Sequence, residues 1–335
     1  MHPITGPDED ARRAARARLA RLDVPAGGLG RLGELASWLA AAQGGCPPRP
    51  PVQPRVIVVA ADHGVAAAGV SAREPDATAR LLAAARERTA PVTVAAAVAG
   101  ASVRLVDVGT RTGGGEHHVR AGSGRIDRED ALTAEEVQRA LATGRGLADE
   151  EVDSGADLLA VGAIGVGATT PASVLVAALT ATEPVAVVGR GSGIDDAGWM
   201  RKAAAVRDAL RRAKPHVRVP EALLQAAGGA DLAVLTGLLT QAAARRTPVL
   251  LDGPVAVAAA MVADELEPRA RGWWRMAERS PEPATARALA HLRLEPVLDI
   301  GTRLGDGTGA VAAIPLLRMA AHLLAETAIP ATSPG

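Results

Sequence analysis

Charged residues alternate with Ala and Leu at helical spacing over residues 8–23. Leu29, Leu32, Leu35, Trp38 and Leu39 fall on one stripe of residues 29–43. The spacing predicts two N-terminal helices. The Pro-rich stretch Cys46–Pro54 reads as a linker. The texture then changes. Arg55–Ala61 is a continuous apolar run that ends at Asp62-His63-Gly64, and similar runs occupy Val103–Val108, Asp157–Gly162, Val185–Gly189 and Pro248–Asp252. Each closes on or beside a Gly or Asp, and a helical pattern follows most of them. Runs buried on both faces and alternating with helices predict an α/β fold, a parallel sheet wrapped by helices on both faces. Ligands bind such sheets outside the carboxyl ends of the strands, which places Asp62, Asp107, Gly162, Gly189 and Asp252 at the expected site. Residues 111–130 are polar and Gly-rich and read as a mobile loop. Residues 266–285, with Trp273-Trp274, read as a second polar excursion. A last helix is expected from about Gly309 to Glu326, with a kink at Pro315. No internal repeat is evident.

Composition narrows the function classes. The chain has 335 residues, enough for one large α/β domain with a smaller helical annex. Phe and Tyr are absent, and Trp38, Trp199, Trp273 and Trp274 are the only aromatics, so the core is built from small aliphatics. Lys plus Arg equals Asp plus Glu at 37 each. Without a basic excess or interleaved aromatics, no nucleic-acid partner is expected. Cys46 is the only cysteine, and His117-His118 has no third ligand at zinc spacing, so no metal is expected. That His pair is expected to be exposed. The first residues lack an apolar signal core, and no apolar run reaches the roughly 18 residues of a membrane helix. The expectation is a cytoplasmic protein without a membrane partner.

Four glycine-rich segments carry the candidate chemistry. Gly162-Ala-Ile-Gly165-Val-Gly167-Ala-Thr169-Thr170 and Gly189-Arg-Gly191-Ser192-Gly193-Ile-Asp-Asp196 each lead into a helix. They are either tight turns with helix caps, or phosphate cradles of backbone N–H groups and hydroxyls at a helix start. Lys202, two turns into the second helix, is within reach of such a phosphate or pairs with Asp195 or Asp196 at the surface. Asp62-His63 is either a general base or metal ligand at a strand end, or a structural hydrogen-bonded pair under a loop, and a structural or substrate-lining role is the favoured reading. In Gly305-Asp306-Gly307-Thr308-Gly309, Asp306 is either a helix cap or a carboxylate free to accept a proton from substrate. Composition alone leaves that choice open.

Taken in order, these segments resemble the nicotinate-nucleotide:dimethylbenzimidazole phosphoribosyltransferase family of cobalamin lower-ligand activation. Pro25-Ala-Gly-Gly-Leu-Gly-Arg-Leu32 is similar to the family's P-x-G-S-L-G-R-L. Ala60-Ala-Asp-His-Gly-Val65 with Gly69-Val-Ser71 is similar to A-G-D-H-G-V…G-V-S. Gly189–Asp196 with Arg201-Lys202 is similar to G-R-G-T-G-x-D-D…R-K. Gly228-Gly229, Leu251-Asp252-Gly253 and Leu294–Asp299 also match, and residues 305–310 resemble G-E-G-T-G-A. The resemblance runs from about Pro25 to Ala325.

The resemblance implies a Rossmann-like sheet with a small helical domain drawn from both chain ends. Residues 1–45 and 266–335 would supply that domain and complete the active site, and residues 54–265 would form the large one. It implies a homodimer with no cofactor, acting on nicotinate mononucleotide and 5,6-dimethylbenzimidazole. Asp306 would be the base, in place of the family's glutamate. Asp62, His63, Ser71, Gly165, Gly167, Thr169, Gly191, Ser192, Gly193, Lys202, Asp252, Gly305 and Gly307 would bind substrate. Three departures stand out. Ala163 replaces a second family carboxylate, Ala168 replaces an asparagine, and Asp306 is one methylene shorter than the glutamate. Asp252 and Asp62 are the carboxylates left to compensate. Alternative readings are a diverged paralogue with another acceptor base and a non-catalytic nucleotide-binding homologue.

Overall fold

The computed structural model describes residues 4–330. Two helices open the chain, α1 (Glu9–Leu19) and α2 (Gly30–Gln43), and Asp8 caps the first by accepting from Asp10 N and Ala11 N. Next come β1 (Pro54–Ala61), α3 (Ala77–Arg86), α4 (Pro91–Ala99) and β2 (Ser102–Gly109). They are followed by α5 (Ala134–Asp153), β3 (Leu158–Ile164), α6 (Thr169–Thr180), α7 (Asp196–Ala213), α8 (Pro220–Ala227), α9 (Ala230–Ala244) and β4 (Val249–Leu251). The chain closes with α10 (Gly253–Leu266), β5 (Trp274–Met276), α11 (Pro283–Leu292) and α12 (Thr308–Glu326).

Among the described residues, five strands form one parallel sheet in the order β2-β1-β3-β4-β5. Its strands alternate between two cores, as a period of two requires. Ile57, Val59, Leu159, Val161, Val249 and Leu251 face the helices α5 to α11. Val56, Val58, Leu158, Ala160 and Leu250 face α1, α2, α3, α4 and α12. Helices from both chain ends therefore lie together on one face. The small-residue composition shows where helices touch. A Cβ on Gly144 of α5 would come 1.9 Å from Val234 O of α9, so only glycine permits this crossing. Two tryptophans anchor the N-terminal segment. Trp38 donates to Gly272 O at 2.9 Å, Trp273 donates to Thr5 O at 2.9 Å, and the Arg275 guanidinium stacks 4.8 Å from the Trp38 ring.

Five expectations need correction. Val185–Gly189 is not a strand. Residues 184–186 make a 3-10 turn, Pro184 has no N–H for a ladder, and Val185 is exposed. The carbonyls of Val187 and Val188 are taken by Ser173 Oγ and Trp199 Nε1 instead of a neighbouring strand. The fifth strand is β5, inside the stretch read as a polar excursion. Asp107 lies within β2 rather than at its end, and its carboxylate accepts from Gly109 N, Thr110 N and Thr110 Oγ1. His117 and His118 are half-buried, not exposed. His118 Nδ1 lies 3.4 Å from Asp107, and His117 lies 3.3 Å from Arg104. Finally, α12 is long and apolar enough by length and composition to cross a membrane. Here it is a core helix packed on α2, α4 and β3, with Arg318 bonded to Pro51 O and Ala99 O.

Candidate active site

The strand order reverses between β1 and β3, and a cleft of about 690 Å³ opens at the carboxyl ends of β3 and β4. The loops after β3 and β4 form its floor. Residues 70–73 and 77–81, 188–193, 278–283 and 302–305 form its walls.

One end is an anion cradle. The chain turns at Gly191 and Gly193 ahead of α7, whose N-cap is Asp195, and Thr169 opens α6 beside it. Lys202 projects from α7 beneath both. Its ammonium is completely buried and donates to Thr169 Oγ1 at 2.8 Å and Gly189 O at 3.1 Å. Burial pushes its pKa down, and the Glu282 carboxylate 3.9 Å away opposes that shift. Glu282 Oε1 accepts the Gly191 N–H at 2.8 Å, while Oε2 is buried without a partner. An internal carboxylate thus occupies a position suited to an incoming anion. Ser192 Oγ accepts the Ala72 N–H at 2.8 Å and lies 3.2 Å from Ser71 Oγ, which ties the two walls together.

The other end is acidic. Asp252 follows β4 at the N-cap of α10, and Glu278 follows β5. The loop 305–307 is laid across β3 by the bond from Ala163 N to Gly305 O at 2.9 Å. Asp252 Oδ2 accepts from Gly307 N at 2.9 Å and Gly309 N at 3.0 Å. Burial, then the neighbouring Asp306 and Glu278 charges, raise the Asp252 pKa to about 7. A carboxyl raised in the folded state stabilises most below its unfolded pKa near 4 and loses that contribution as pH rises through its folded value. Unfolding free energy should therefore fall by about 3–4 kcal/mol from this group between pH 4 and pH 8. Asp252→Asn should flatten that slope in denaturant titrations across the same range. An unchanged slope would contradict the raised pKa.

The structure brings Ser71, Gly165, Gly167, Thr169, Gly191, Ser192, Gly193, Asp252 and Gly305 to the cleft wall, with Lys202 directly beneath it. Asp62 and His63 stand behind it. Asp62 accepts from Thr78 Oγ1 and Arg111 N, and Thr78 Oγ1 in turn accepts from Val166 N, so Asp62 holds the glycine loop in place. His63 is fully buried against Asp231 at 3.1 Å. The wall ends at Gly305. The Asp306 side chain turns back to accept from Thr308 N at 3.0 Å and Thr308 Oγ1 at 2.6 Å. Gly307 underlies that turn and packs near Val56 and Val92. The sequence reading missed Glu278 and Glu282. For Glu282 a signal existed, a lone acid fixed between Pro281 and Pro283.

A parallel sheet with a switch-point cleft lined by glycine turns and buried carboxylates is the arrangement of an α/β enzyme. The phosphoribosyltransferase family model matches residues 4–333, and the chain belongs to that family. It is 54% identical over 330 residues to the nicotinate-nucleotide–dimethylbenzimidazole phosphoribosyltransferase of Mycolicibacterium paratuberculosis, covering 97% of this chain and 95% of that one. Against the Mycobacterium tuberculosis protein of the same name, identity is 52% over 331 residues, with coverage of 97% and 92%. The crystal structure of CobT from Thermus thermophilus superposes with a TM-score of 0.91 at 37% identity, covering 94% of this chain and 96% of that one.

Proposed function

We propose that this chain transfers ribose 5-phosphate from nicotinate mononucleotide to 5,6-dimethylbenzimidazole, giving nicotinate and α-ribazole 5′-phosphate. The observation that carries this reading is one cleft with a cation-backed cradle at one end and proton-accepting carboxylates at the other, in a chain whose relatives carry that activity in their names. The cradle around Gly191, Ser192 and Thr169, with Lys202 behind it, holds the 5′-phosphate. The ribose then lies along the floor over Gly165 and Gly167. Nicotinate departs from a ribosylpyridinium, whose ring nitrogen takes the bond pair without needing an acid. Dimethylbenzimidazole attacks from the opposite face, which inverts the anomeric carbon. The acceptor must also lose its N–H proton, so a base is required, and the carboxylates around Asp306 supply it.

A second reading keeps the chemistry and changes the acceptor. Ala163 and Ala168 both line the cleft, where the family pattern carries larger polar side chains, and Trp199 is the only aromatic in the wall. A roomier, less stacking pocket favours an altered acceptor range.

The test is nicotinate release from the mononucleotide, followed by chromatography, with and without each of a panel of azoles, purines and phenols. Release that depends on dimethylbenzimidazole supports the first reading. Release that depends only on another acceptor supports the second. Ligand binding without release would leave a nucleotide-binding protein.

A further inference from the structure

The phosphate cradle already holds an anion. The turn 189–193 closes around the side chain of Glu282, which enters from the wall just ahead of α11. Glu282 Oε1 accepts the Gly191 N–H at 2.8 Å. A Cβ on Gly189 would stand 2.3 Å from Glu282 Oε2, so glycine at 189 leaves room for the carboxylate. One on Gly191 would stand 2.8 Å from Thr169 Oγ1 and 3.2 Å from Lys202 Nζ. A backbone N–H, a threonine hydroxyl and a buried ammonium thus converge on one small volume, and the anion inside it belongs to the protein. Among the described residues Glu282 is the only acid paired with the Lys202 ammonium, at 3.9 Å.

This occupant is incompletely bonded. Glu282 Oε2 is buried without a hydrogen-bond partner, and its separation from Lys202 Nζ is too long for a hydrogen bond. The ammonium has a third donor beyond those given to Thr169 Oγ1 and Gly189 O. A buried carboxylate oxygen left unpaired is costly. A phosphate carries three terminal oxygens, enough to take the Gly191 N–H and the third Lys202 donor together, where the carboxylate takes only the first. The carboxylate also has a second seat. Glu282 is the N-cap residue of α11, no side chain caps that helix, and Thr285 Oγ1, three residues on, is buried without a partner. Cap side chains bond over that spacing. One turn of the Glu282 side chain would join two orphaned polar groups.

We propose that Glu282 is a displaceable stand-in for the donor's phosphate, which sets donor affinity by filling the cradle until a phosphate turns it toward α11. The proposal rests on the ribosyl phosphate transfer described above. A cradle filled by its own carboxylate is open for only a fraction of the time, and the affinity of every phosphate ligand is reduced by that fraction. The reduction is common to the donor, the phosphorylated product and inorganic phosphate. It raises the KM of the donor and speeds the departure of the product, and it leaves the chemical step alone.

The probes are inorganic phosphate, read by calorimetry and as a competitive inhibitor, and nicotinate mononucleotide, read by its KM. Glu282→Gln keeps the side chain's shape and removes its charge, and Glu282→Ala empties the seat. The comparison is made at about pH 6, because burial lowers the Lys202 pKa and the variants lack the carboxylate that opposes that shift. Both variants should bind inorganic phosphate about tenfold more tightly or better, and the phosphate Ki and the donor KM should fall by the same factor, since one open fraction enters both. A crystal structure with inorganic phosphate should show the Gly191 N–H on the phosphate and the Glu282 carboxylate turned to Thr285. Unchanged or weaker phosphate binding in both variants would make Glu282 a support of the cradle and overturn the proposal. Phosphate bound with Glu282 still on Gly191 N would overturn it as well. Calorimetry and the phosphate complex need no turnover. If the wild type releases no nicotinate with any base, the transfer reading fails by itself and these two results still decide the role of Glu282.

Discussion

Replacing Lys202 with methionine should lower kcat/KM for nicotinate mononucleotide by about 10²–10³-fold, with most of the effect in KM. Two losses combine. A charge-assisted hydrogen bond to the phosphate contributes about 1.5–3 kcal/mol. The ammonium also joins Thr169 Oγ1 to Gly189 O, so its removal releases the two loops that shape the cradle. Misplacement of a bound substrate by about 1 Å can cost a further hundredfold. Stability should change much less than activity. Methionine fills the same fully buried volume, so no cavity opens, and the stability cost is confined to Glu282 and the Gly189 carbonyl losing their cation. Steady-state kinetics at saturating acceptor read the effect directly. A variant within about threefold of wild type would remove Lys202 from phosphate binding.

The second large effect is expected from Gly162→Ala. A Cβ at residue 162 would stand 2.2 Å from Gly307 N and 2.3 Å from the Asp306 carbonyl carbon. Neither contact is a flexible side-chain end, so the loop 305–309 must lift from β3. The lift would break the bonds from Gly307 N and Gly309 N to Asp252 and from Ala163 N to Gly305 O. The expected cost is about 2–3 kcal/mol of stability. A loss of turnover of about a hundredfold should accompany it, since the acidic end of the cleft is built from those bonds. Thermal melts and kinetics on the same preparation check both. A stable, fully active G162A would show that the loop does not lie on the strand as described.

Much of this was legible in the chain. The continuous apolar runs at residues 55–61 and 248–252 marked two strands because parallel strands are buried on both faces. The glycine-rich segments marked the helix starts, because only backbone without a Cβ fits against Ala61 or Gly307 there. Val185–Gly189 misled for a physical reason. Apolarity reports burial, not pairing, and Val187 and Val188 are buried under helices α6 and α7. Conversely β5 pairs over only three residues at a sheet edge, and the tryptophan beside it also serves the N-terminal segment, so no period of two is visible. At the site, spacing found the loops but not the direction of their side chains. Asp306 and Asp252 look alike as acids between apolar or glycine neighbours. Only the packing separates one bound back to Thr308 from one bound to the backbone of the loop that carries the other. Glu278 and Glu282 were hard to see because they enter from a stretch whose polarity resembles a surface excursion.

The most direct test follows the transferred atom. Nicotinate mononucleotide carrying ¹³C at C1′ is incubated with dimethylbenzimidazole and the enzyme, and the label is observed by NMR. The account predicts that the label moves into a single ribosyl benzimidazole phosphate of α configuration, with one nicotinate released for each. Label remaining in the starting nucleotide, or appearing in free ribose 5-phosphate, would contradict it.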